Sequence, residues 1–177
     1  HNKPWTSKRF NRFRDIWWFY YALSWEDILL RKPSLKLSFS DMIGDFPYHT
    51  AIYTNTADIF ELEHLLQTLP DVAFHVLAHS HFGFNLVKLE QYPNLILYPS
   101  FDPLTSRKVL EKIDFYLDIN PFDEVDHITE TIHQLGLPIF SFEGTNHDQT
   151  GQNQVFKNDQ VDQMVEAVRD YIDTIER

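Results

Sequence analysis

The sequence predicts an α/β fold in which a doubly wound parallel sheet of five to six strands follows an N-terminal aromatic helical segment. Two observations predict the sheet. Short apolar runs alternate with stretches of about 8–15 residues whose apolar positions recur at helical spacing, five or six times over. Polar residues follow several of the apolar runs. This alternation is typical of a Rossmann-like fold, in which ligand-facing groups lie at the carboxyl ends of the strands.

The predicted strands are 48–54, 72–78, 95–98, 115–117 and a run starting at 138, and residues 155–156 are either a short sixth strand or an ordered turn. The predicted helices are 59–69, 85–91, 104–112, 125–135 and 159–175. Asp102 precedes Pro103 as a capped helix start, and Gly136 fits the position just after a helix end. Asp or Thr in 55–58 is expected to cap the first helix, and Asp123, Glu124 and Asp126 to occupy the positive first turn of the fourth.

The first 47 residues differ in composition from the rest. Their aromatic side chains fall largely on one helical face and must pack against a neighbour: Phe10, Phe13, Trp17, Trp18, Tyr21 and Trp25. Docking onto the following domain or a missing one is the simpler interpretation, and a sugar-stacking platform is the alternative. We therefore predict two units, 1–47 and 48–177. Because the chain starts at His1 rather than Met, we expect a fragment of a longer protein.

Composition excludes several classes of function. The apolar fraction of 43% supports a real core, whereas the net charge of −11 argues against binding to nucleic acid or an anionic membrane surface. There are no cysteines, which excludes disulfides and thiolate zinc sites. No apolar run is long enough to span a membrane and no signal peptide is visible, so a cytoplasmic protein is expected.

Common catalytic and nucleotide-binding motifs are missing. The turn after the first strand reads TNTAD, which has neither the G-x-G-x-x-G fingerprint nor a P-loop, and no G-x-S-x-G elbow is present. Phosphate binding at helix starts near Asn55, Ser80 or Ser100 stays open. His79 and His81, with Asp102 or with His147 and Asp148, are a metal alternative, but no recurrent ligand spacing supports it.

The acidic stretch from Asp118 to Glu124 is the stronger candidate. Asp118 and Asn120 follow a predicted strand, so they should lie near the loop from Glu143 to His147. Carboxylates and amides hold hydroxyl-rich ligands by paired hydrogen bonds, which indicates a sugar site. The alternative is structural: Asp118 caps a turn, and the acids that follow it complement a helix dipole. The residues alone leave both interpretations open.

The start of the chain resembles the end of bacterial family 8 glycosyltransferases. Lys3-Pro4-Trp5 followed by an aromatic stretch around Trp17 matches their closing motif, in which a histidine and a glycine precede Lys-Pro-Trp. That resemblance implies a diphosphate contact for Lys3. His1 is too close to Lys3 to be the metal-binding histidine of the family. The resemblance therefore places that histidine, a D-x-D motif and a divalent cation such as Mn upstream, with no cofactor in this fragment.

From about Tyr48 onwards the chain resembles the C-terminal nucleotide-binding half of GT-B glycosyltransferases, especially those that glycosylate serine-rich-repeat adhesins. The shared progression is Tyr92-Pro93-Asn94, Leu97-Tyr98-Pro99 and residues 114–120. The resemblance implies a domain that binds a nucleotide sugar, a glycan acceptor or a partner glycosyltransferase.

The GT-B pattern is incomplete in this chain. Many GT-B enzymes carry two glutamates, separated by seven residues, before a G-x-P turn. The corresponding positions here are Asp123 and Thr131, and the basic pair expected after the first strand is absent from TNTADIF. We therefore expect the catalytic machinery to lie mainly in a missing N-terminal glycosyltransferase domain.

Three hypotheses follow. The domain supports glycosyl transfer by binding a nucleotide sugar, a glycan or a partner enzyme; or it is a catalytically silent interaction module; or it is an independent enzyme that uses the residues from Asp118 to Glu124. No catalytic residue and no metal ligand is assigned. The predicted substrate-binding residues are Lys3, Asn55, Asp118, Asn120, Asp123, Glu124, Glu143 and His147.

Overall fold

The computed structural model describes residues 46–175. They form a six-stranded sheet in the order β3-β2-β1-β4-β5-β6, and every neighbouring pair of strands is parallel. The strands are β1 (Tyr48–Tyr53), β2 (Val72–Ala78), β3 (Leu95–Pro99), β4 (Phe115–Asp118), β5 (Ile139–Phe142) and β6 (Gln154–Phe156). The predicted parallel α/β sheet is confirmed. The aromatic helical segment and Lys3 lie outside the described residues.

Helices cover both faces of the sheet. They are α1 (Leu62–Thr68), α2 (Phe84–Val87) continued by a 3-10 turn (Lys88–Gln91), α3 (Pro103–Lys112), α4 (Ile128–Gln134) and α5 (Val161–Asp173). One core cluster joins the sheet to α1, α2 and α5, and a second joins it to α3 and α4. The described strands β1, β2, β4 and β5 are buried almost throughout, because each lies between two helical layers.

The strand order reverses at β1. This strand pairs with β2 on one side, from Tyr48↔Val72 to Tyr53↔Leu77, and with β4 on the other, at Thr50↔Phe115 and Ala51↔Tyr116. Successive connections therefore leave to opposite sides, and a crevice opens above the carboxyl ends of β1 and β4. That crevice is where an open parallel sheet presents its ligand-facing loops.

Two predicted helix ends are confirmed. The carboxylate of Asp102 accepts a 2.7 Å hydrogen bond from the Thr105 backbone N–H at the start of α3. Gly136 follows the last turn of α4 with a φ of +73°, a left-handed conformation that glycine adopts at low cost, and its N–H donates to the carbonyl of His133.

Two predicted helix starts are wrong. No side chain in 55–58 caps α1, because α1 begins at Leu62 after Glu61 in a left-handed conformation. Likewise α4 begins only at Ile128, since Asp126 and His127 both have positive φ and interrupt a helix there. The acids predicted for the first turn of α4 therefore lie in the preceding loop.

Among the described residues, no helix is both long enough and apolar enough to cross a membrane.

Candidate functional site

The loops that follow β1 and β4 meet at the carboxyl edge of the sheet. The side-chain amides of Asn55 and Asn120 each donate a 3.0 Å hydrogen bond to the backbone carbonyl of Asp123. Thr54 at the end of β1 donates to the Asn120 Oδ1 at 3.3 Å. Three predicted site residues thus come together, but Asn120 is buried and bound to protein atoms, while Asn55 and Asp123 are exposed.

Asp118 and His147 form a clamp between β4 and the loop that follows β5. The carboxylate of Asp118, which is 2% exposed, accepts from the His147 backbone N–H at 2.7 Å and faces the His147 Nδ1 at 2.6 Å. The other ring nitrogen, Nε2, bonds to the backbone carbonyl of Phe122. The imidazole therefore ties the 143–153 loop to both ends of the turn that follows β4.

The two partners of the His147 ring determine its charge. A carboxylate and a backbone carbonyl accept hydrogen bonds and donate none, so both ring nitrogens have to carry a proton. The hydrogen bond that His147 donates to Asp118 raises the pKa of His147, whereas burial acts to lower it. The pair is accordingly an imidazolium bound to a carboxylate, and its charge is satisfied inside the protein.

Glu124 also has a structural role. One of its carboxylate oxygens accepts from the Thr129 backbone N–H at 3.0 Å and from the Thr129 hydroxyl at 2.6 Å. It thereby satisfies an orphan N–H in the first turn of α4 from outside the helix. Glu124 also lines a surface pocket together with His147.

Glu143 lies on the side of the 143–153 loop that bonds to β6. It follows β5, its backbone N–H donates to the carbonyl of Phe156 at 2.8 Å, and its side chain is exposed. The next residue, Gly144, donates to the Asn158 side chain. Both bonds join the start of this turn to β6 and the segment after it, whereas Thr145 at its end donates to the backbone carbonyl of Asp118 at 2.7 Å.

Sequence reasoning missed the organising residue of the 143–153 loop, Asp148. Its carboxylate accepts from the backbone N–H groups of Thr150, Gln152 and Asn153 at 2.7–3.0 Å and from the Thr150 hydroxyl at 2.6 Å. Burial acts to raise the pKa of Asp148, but these hydrogen bonds lower it to about 2. The D-Q-T spacing, typical of an Asx turn, is the sequence signal that could have indicated this role.

Backbone strain concentrates at the same edge. The non-glycine residues with positive φ among residues 46–175 are Glu61, Ser100, Asp126 and His127. Each lies on a connection that leaves the carboxyl end of β1, β3 or β4. Such conformations cost of order 1–3 kcal/mol each and cluster at functional sites, so they mark this edge rather than the opposite one.

Two of the histidines considered as metal ligands, His79 and His147, have other contacts. His79 lies 2.7 Å from the Asp126 carboxylate and stacks on Phe101 with ring centroids 4.5 Å apart. Within the part of the chain that the structure describes, no group of three or more His, Cys, Asp or Glu side chains is arranged to hold a metal ion. The described residues therefore do not fit a resident cation.

The charge of the edge limits what it binds. The segments 54–61, 119–127 and 143–153 contain aspartate and glutamate but neither lysine nor arginine. A diphosphate at this edge would meet carboxylates without a lysine or arginine partner from these loops. Amides, hydroxyls and carboxylates remain available, and these groups suit ligands rich in hydroxyl groups.

Residues 50–177 match the family model described as the GftB/GlyA-F C-terminal domain. The chain belongs to this family. Among curated relatives, glycosyltransferase GlyB of Streptococcus pneumoniae is 45% identical over 170 residues, which cover 96% of this chain and 42% of GlyB. The chain thus belongs with glycosyltransferases that are considerably longer than itself.

A solved structure and a second curated protein are also similar to this chain. The crystal structure of glycosyltransferase GlyE from S. pneumoniae aligns with a TM-score of 0.66 at 25% identity, covering 97% of this chain and 44% of GlyE. The protein GtfB of Streptococcus agalactiae, named as stabilizing a peptide N-acetylglucosaminyltransferase, is 34% identical over 97 residues, 55% of this chain and 22% of GtfB. The chain spans less than half the length of these relatives.

Proposed function

We propose that this domain supports glycosyl transfer as the C-terminal part of a larger glycosyltransferase, by binding a ligand at the carboxyl edge of its sheet, while the transfer chemistry belongs to another part of the protein. The proposal rests on one observation: the carboxylates of Asp118 and Glu124 are already hydrogen-bonded to groups of the protein itself. Asp118 neutralises His147, and Glu124 caps α4. Membership of a family with several glycosyltransferases supports the reaction class.

The engaged carboxylates argue against an independent active site. A general base has to be within hydrogen-bond reach of a substrate proton and able to accept it. The Asp118 oxygens face the two N–H groups of His147 at 2.6 and 2.7 Å, and the pair is nearly enclosed. An enzyme built on this cluster would have to break the clamp before each turnover.

We assign binding of the sugar donor to the part of the protein that precedes residue 46. That part carries the resemblance to family 8 glycosyltransferases, and in it Lys3 would contact the donor diphosphate. A divalent cation such as Mn would offset the charge that develops on a departing diphosphate there. In this proposal residues 46–175 do not bind that ion, because they hold no group of three or more His, Cys, Asp or Glu side chains arranged around a metal site.

The first test is an activity measurement on the 177-residue chain alone. With UDP-glucose or UDP-N-acetylglucosamine and Mn²⁺, we expect no release of UDP above the rate without protein. A Glu124→Gln variant serves as the control, and it should give the same background. Release of UDP by the chain that disappears in Glu124→Gln would overturn the proposal, since it would place the chemistry in this domain.

A second candidate function is stabilisation of a partner glycosyltransferase, as the name of the GtfB relative suggests. The observation that favours it is a set of exposed apolar side chains on segments that follow β2, β3 and β4: Phe84, Leu104 and Phe122, which are 78%, 50% and 60% exposed. Side chains of this size that stay in water on one edge are typical of a contact surface.

This second function is tested with a matched pair of substitutions. Leu104 and Leu135 are equally exposed, at 50%, but Leu135 lies at the opposite end of the sheet, after α4. If a candidate glycosyltransferase partner is stabilised by the chain, Leu104→Ser should reduce the rise in the partner's melting temperature, and Leu135→Ser should not. Equal effects of the two variants, or no rise with the unmodified chain, would exclude this function for the tested partner.

A further inference from the structure

A pocket of about 650 Å³ lies beside the Asp118–His147 clamp. One wall is α4, with Glu130, His133 and Gln134, and the other is the 143–153 loop, with Gln149, Thr150 and Gln152. Its volume is within the range of small-molecule sites, which runs from about 300 to 1,000 Å³. Of the predicted substrate-binding residues within the described range, Glu124 and His147 line it, and the other residues of that range that line it were not predicted to bind substrate.

Both walls are fixed before any ligand arrives. Asp148 organises the loop through its hydrogen bonds, and Asn146 adds bonds to the Asp148 N–H at 3.2 Å and to the Asn153 side chain at 2.9 Å. The loop is joined to α4 where His133 Nε2 meets Asn153 Oδ1 at 3.0 Å. A pre-organised wall lowers the entropy cost of binding, because fewer side chains and torsions have to be ordered.

The pocket also presents hydrogen-bonding groups that the fold does not use. The side-chain amides of Gln134, Gln149 and Gln152 make no hydrogen bond to any other residue in the described range 46–175, and all three are exposed. Each amide offers one acceptor and two donor hydrogens. This contrasts with Asn120, Asn146 and Asn153 nearby, whose amides are bound to protein atoms.

The charge of the lining selects against anions. Glu124, Glu130 and Asp148 contribute carboxylates, and among residues 46–175 neither lysine nor arginine lines the pocket. The positive charge of His147 is compensated by Asp118. A hydroxyl group, by contrast, can donate to a carboxylate and accept from an amide at the same time. Neutral ligands with several hydroxyl groups are therefore favoured over phosphorylated ones.

We propose that this pocket, between α4 and the 143–153 loop, binds a neutral carbohydrate rather than the nucleotide part of a sugar donor. The inference rests on the proposed function and specifies its ligand. The sugar hydroxyls bond to the amides of Gln134 and Gln152 from the two walls and to the carboxylate of Glu130. The pyranose ring spans the gap between the walls.

The test is a titration of the full 177-residue chain, labelled with ¹⁵N, with neutral sugars: glucose, galactose, N-acetylglucosamine and lactose. We expect millimolar binding of at least one of them, with backbone shifts confined to α4 and residues 147–152. UDP and UDP-glucose should bind more weakly than the free sugar. The double variant Gln134→Ala/Gln152→Ala should raise Kd about tenfold, the effect of two lost neutral hydrogen bonds.

Gln163→Ala is the matched control, because Gln163 is also an exposed glutamine and lies on α5, away from the pocket. It should leave Kd unchanged. Binding to none of the four sugars, an unchanged Kd in the double variant, or tighter binding of UDP-glucose through the same residues would each overturn the inference. These results differ from failure of the proposed function, which would appear as UDP release by the chain alone.

Discussion

Two histidine networks in this domain use the same side chain in opposite ways. His75, in the middle of β2, is fully buried and lies between the Tyr98 hydroxyl at 2.8 Å and the His49 Nδ1 at 3.0 Å. His147, at the carboxyl edge, lies between a carboxylate and a carbonyl. Burial lowers the pKa of His75 well below its usual value, with His49 and Lys112 acting in the same direction. Its hydrogen bond to Asp118 raises the pKa of His147.

The difference shows that the partners, rather than the residue type, determine what a buried imidazole does. A hydroxyl and a second imidazole can each donate or accept, so His75 stays neutral and supports the core. Two pure acceptors require a cation, so His147 supports an ionic clamp between loops. The core network belongs to the β1–β2–β3 half of the sheet, and the clamp belongs to the half that carries the candidate site.

The largest expected effect comes from breaking the clamp. Asp118→Ala leaves an imidazolium without its carboxylate in a place where the side chain of His147 is only 17% exposed. Removing one member of such a buried pair destabilises by about 3 kcal/mol. Denaturant unfolding followed by circular dichroism measures the loss.

The control for this variant is Asp126→Asn, because asparagine tolerates the left-handed backbone conformation of position 126. Asp126 forms a histidine pair of similar length, 2.7 Å to His79 against 2.6 Å in the clamp, but both side chains are more than half exposed. Exposed pairs contribute at most about 1 kcal/mol, so this variant should unfold nearly as the unmodified chain does. Equal losses in the two variants would show that the clamp is no stronger than a surface pair.

A smaller effect is expected in the core network. Tyr98→Phe removes the hydroxyl that faces His75 and leaves the ring in place. The loss of one buried neutral hydrogen bond should reduce the free energy of unfolding by about 1–2 kcal/mol. Sugar binding at the edge should not change, because Tyr98 is on β3 and does not line the pocket. A changed sugar affinity would contradict the separation of the two networks.

The smallest expected effect is on the pH dependence of stability, where the two networks have opposite signs. His147 has a raised pKa in the folded state, so its stabilisation is complete below its unfolded value of 6.5 and is lost as pH rises through the folded value. His75 has a lowered pKa, so its contribution is present above 6.5 and is lost as pH falls. The free energy of unfolding should therefore fall on both sides of neutrality.

His147→Gln separates the two contributions. Without the imidazolium, the loss of stability on the alkaline side should become smaller, whereas the loss on the acid side, which belongs to His75, should persist. Urea unfolding at a series of pH values from acid to alkaline measures both limbs. An unchanged alkaline limb in this variant would show that His147 is neutral in the folded protein, against the geometry of its two acceptors.

The doubly wound parallel sheet and the helix end at Gly136 could be predicted from the sequence. Apolar periodicity and the position of a glycine are local properties of the chain, so they can be read without knowing its tertiary contacts. The environment of His75 could not be predicted in this way. β2 is covered on both faces, so His75 is buried like every other residue of the strand. Burial on both faces is a property of the assembled layers rather than of the strand's own sequence.

The candidate site was predicted in part for a similar reason. The meeting of the loops after β1, β4 and β5 follows from parallel topology, which the alternation of elements already indicated. The pairing of Asp118 with His147 and the capping of Thr129 by Glu124 depend on contacts between distant or irregular segments. Spacing in the sequence does not encode such contacts, so acids that looked available for a sugar are bound to the protein.

The position of β1 in the middle of the sheet has a consequence for how the chain folds. The first strand can find β2 soon after synthesis, but its other edge waits for β4, and the Thr50–Phe115 contact closes a separation of 65 residues. Until then the edge of β1 is an open row of N–H and C=O groups that another chain can join. This domain is therefore most prone to misassembly before β4 pairs with β1, that is, before Phe115 and Tyr116 bind to the free edge of β1.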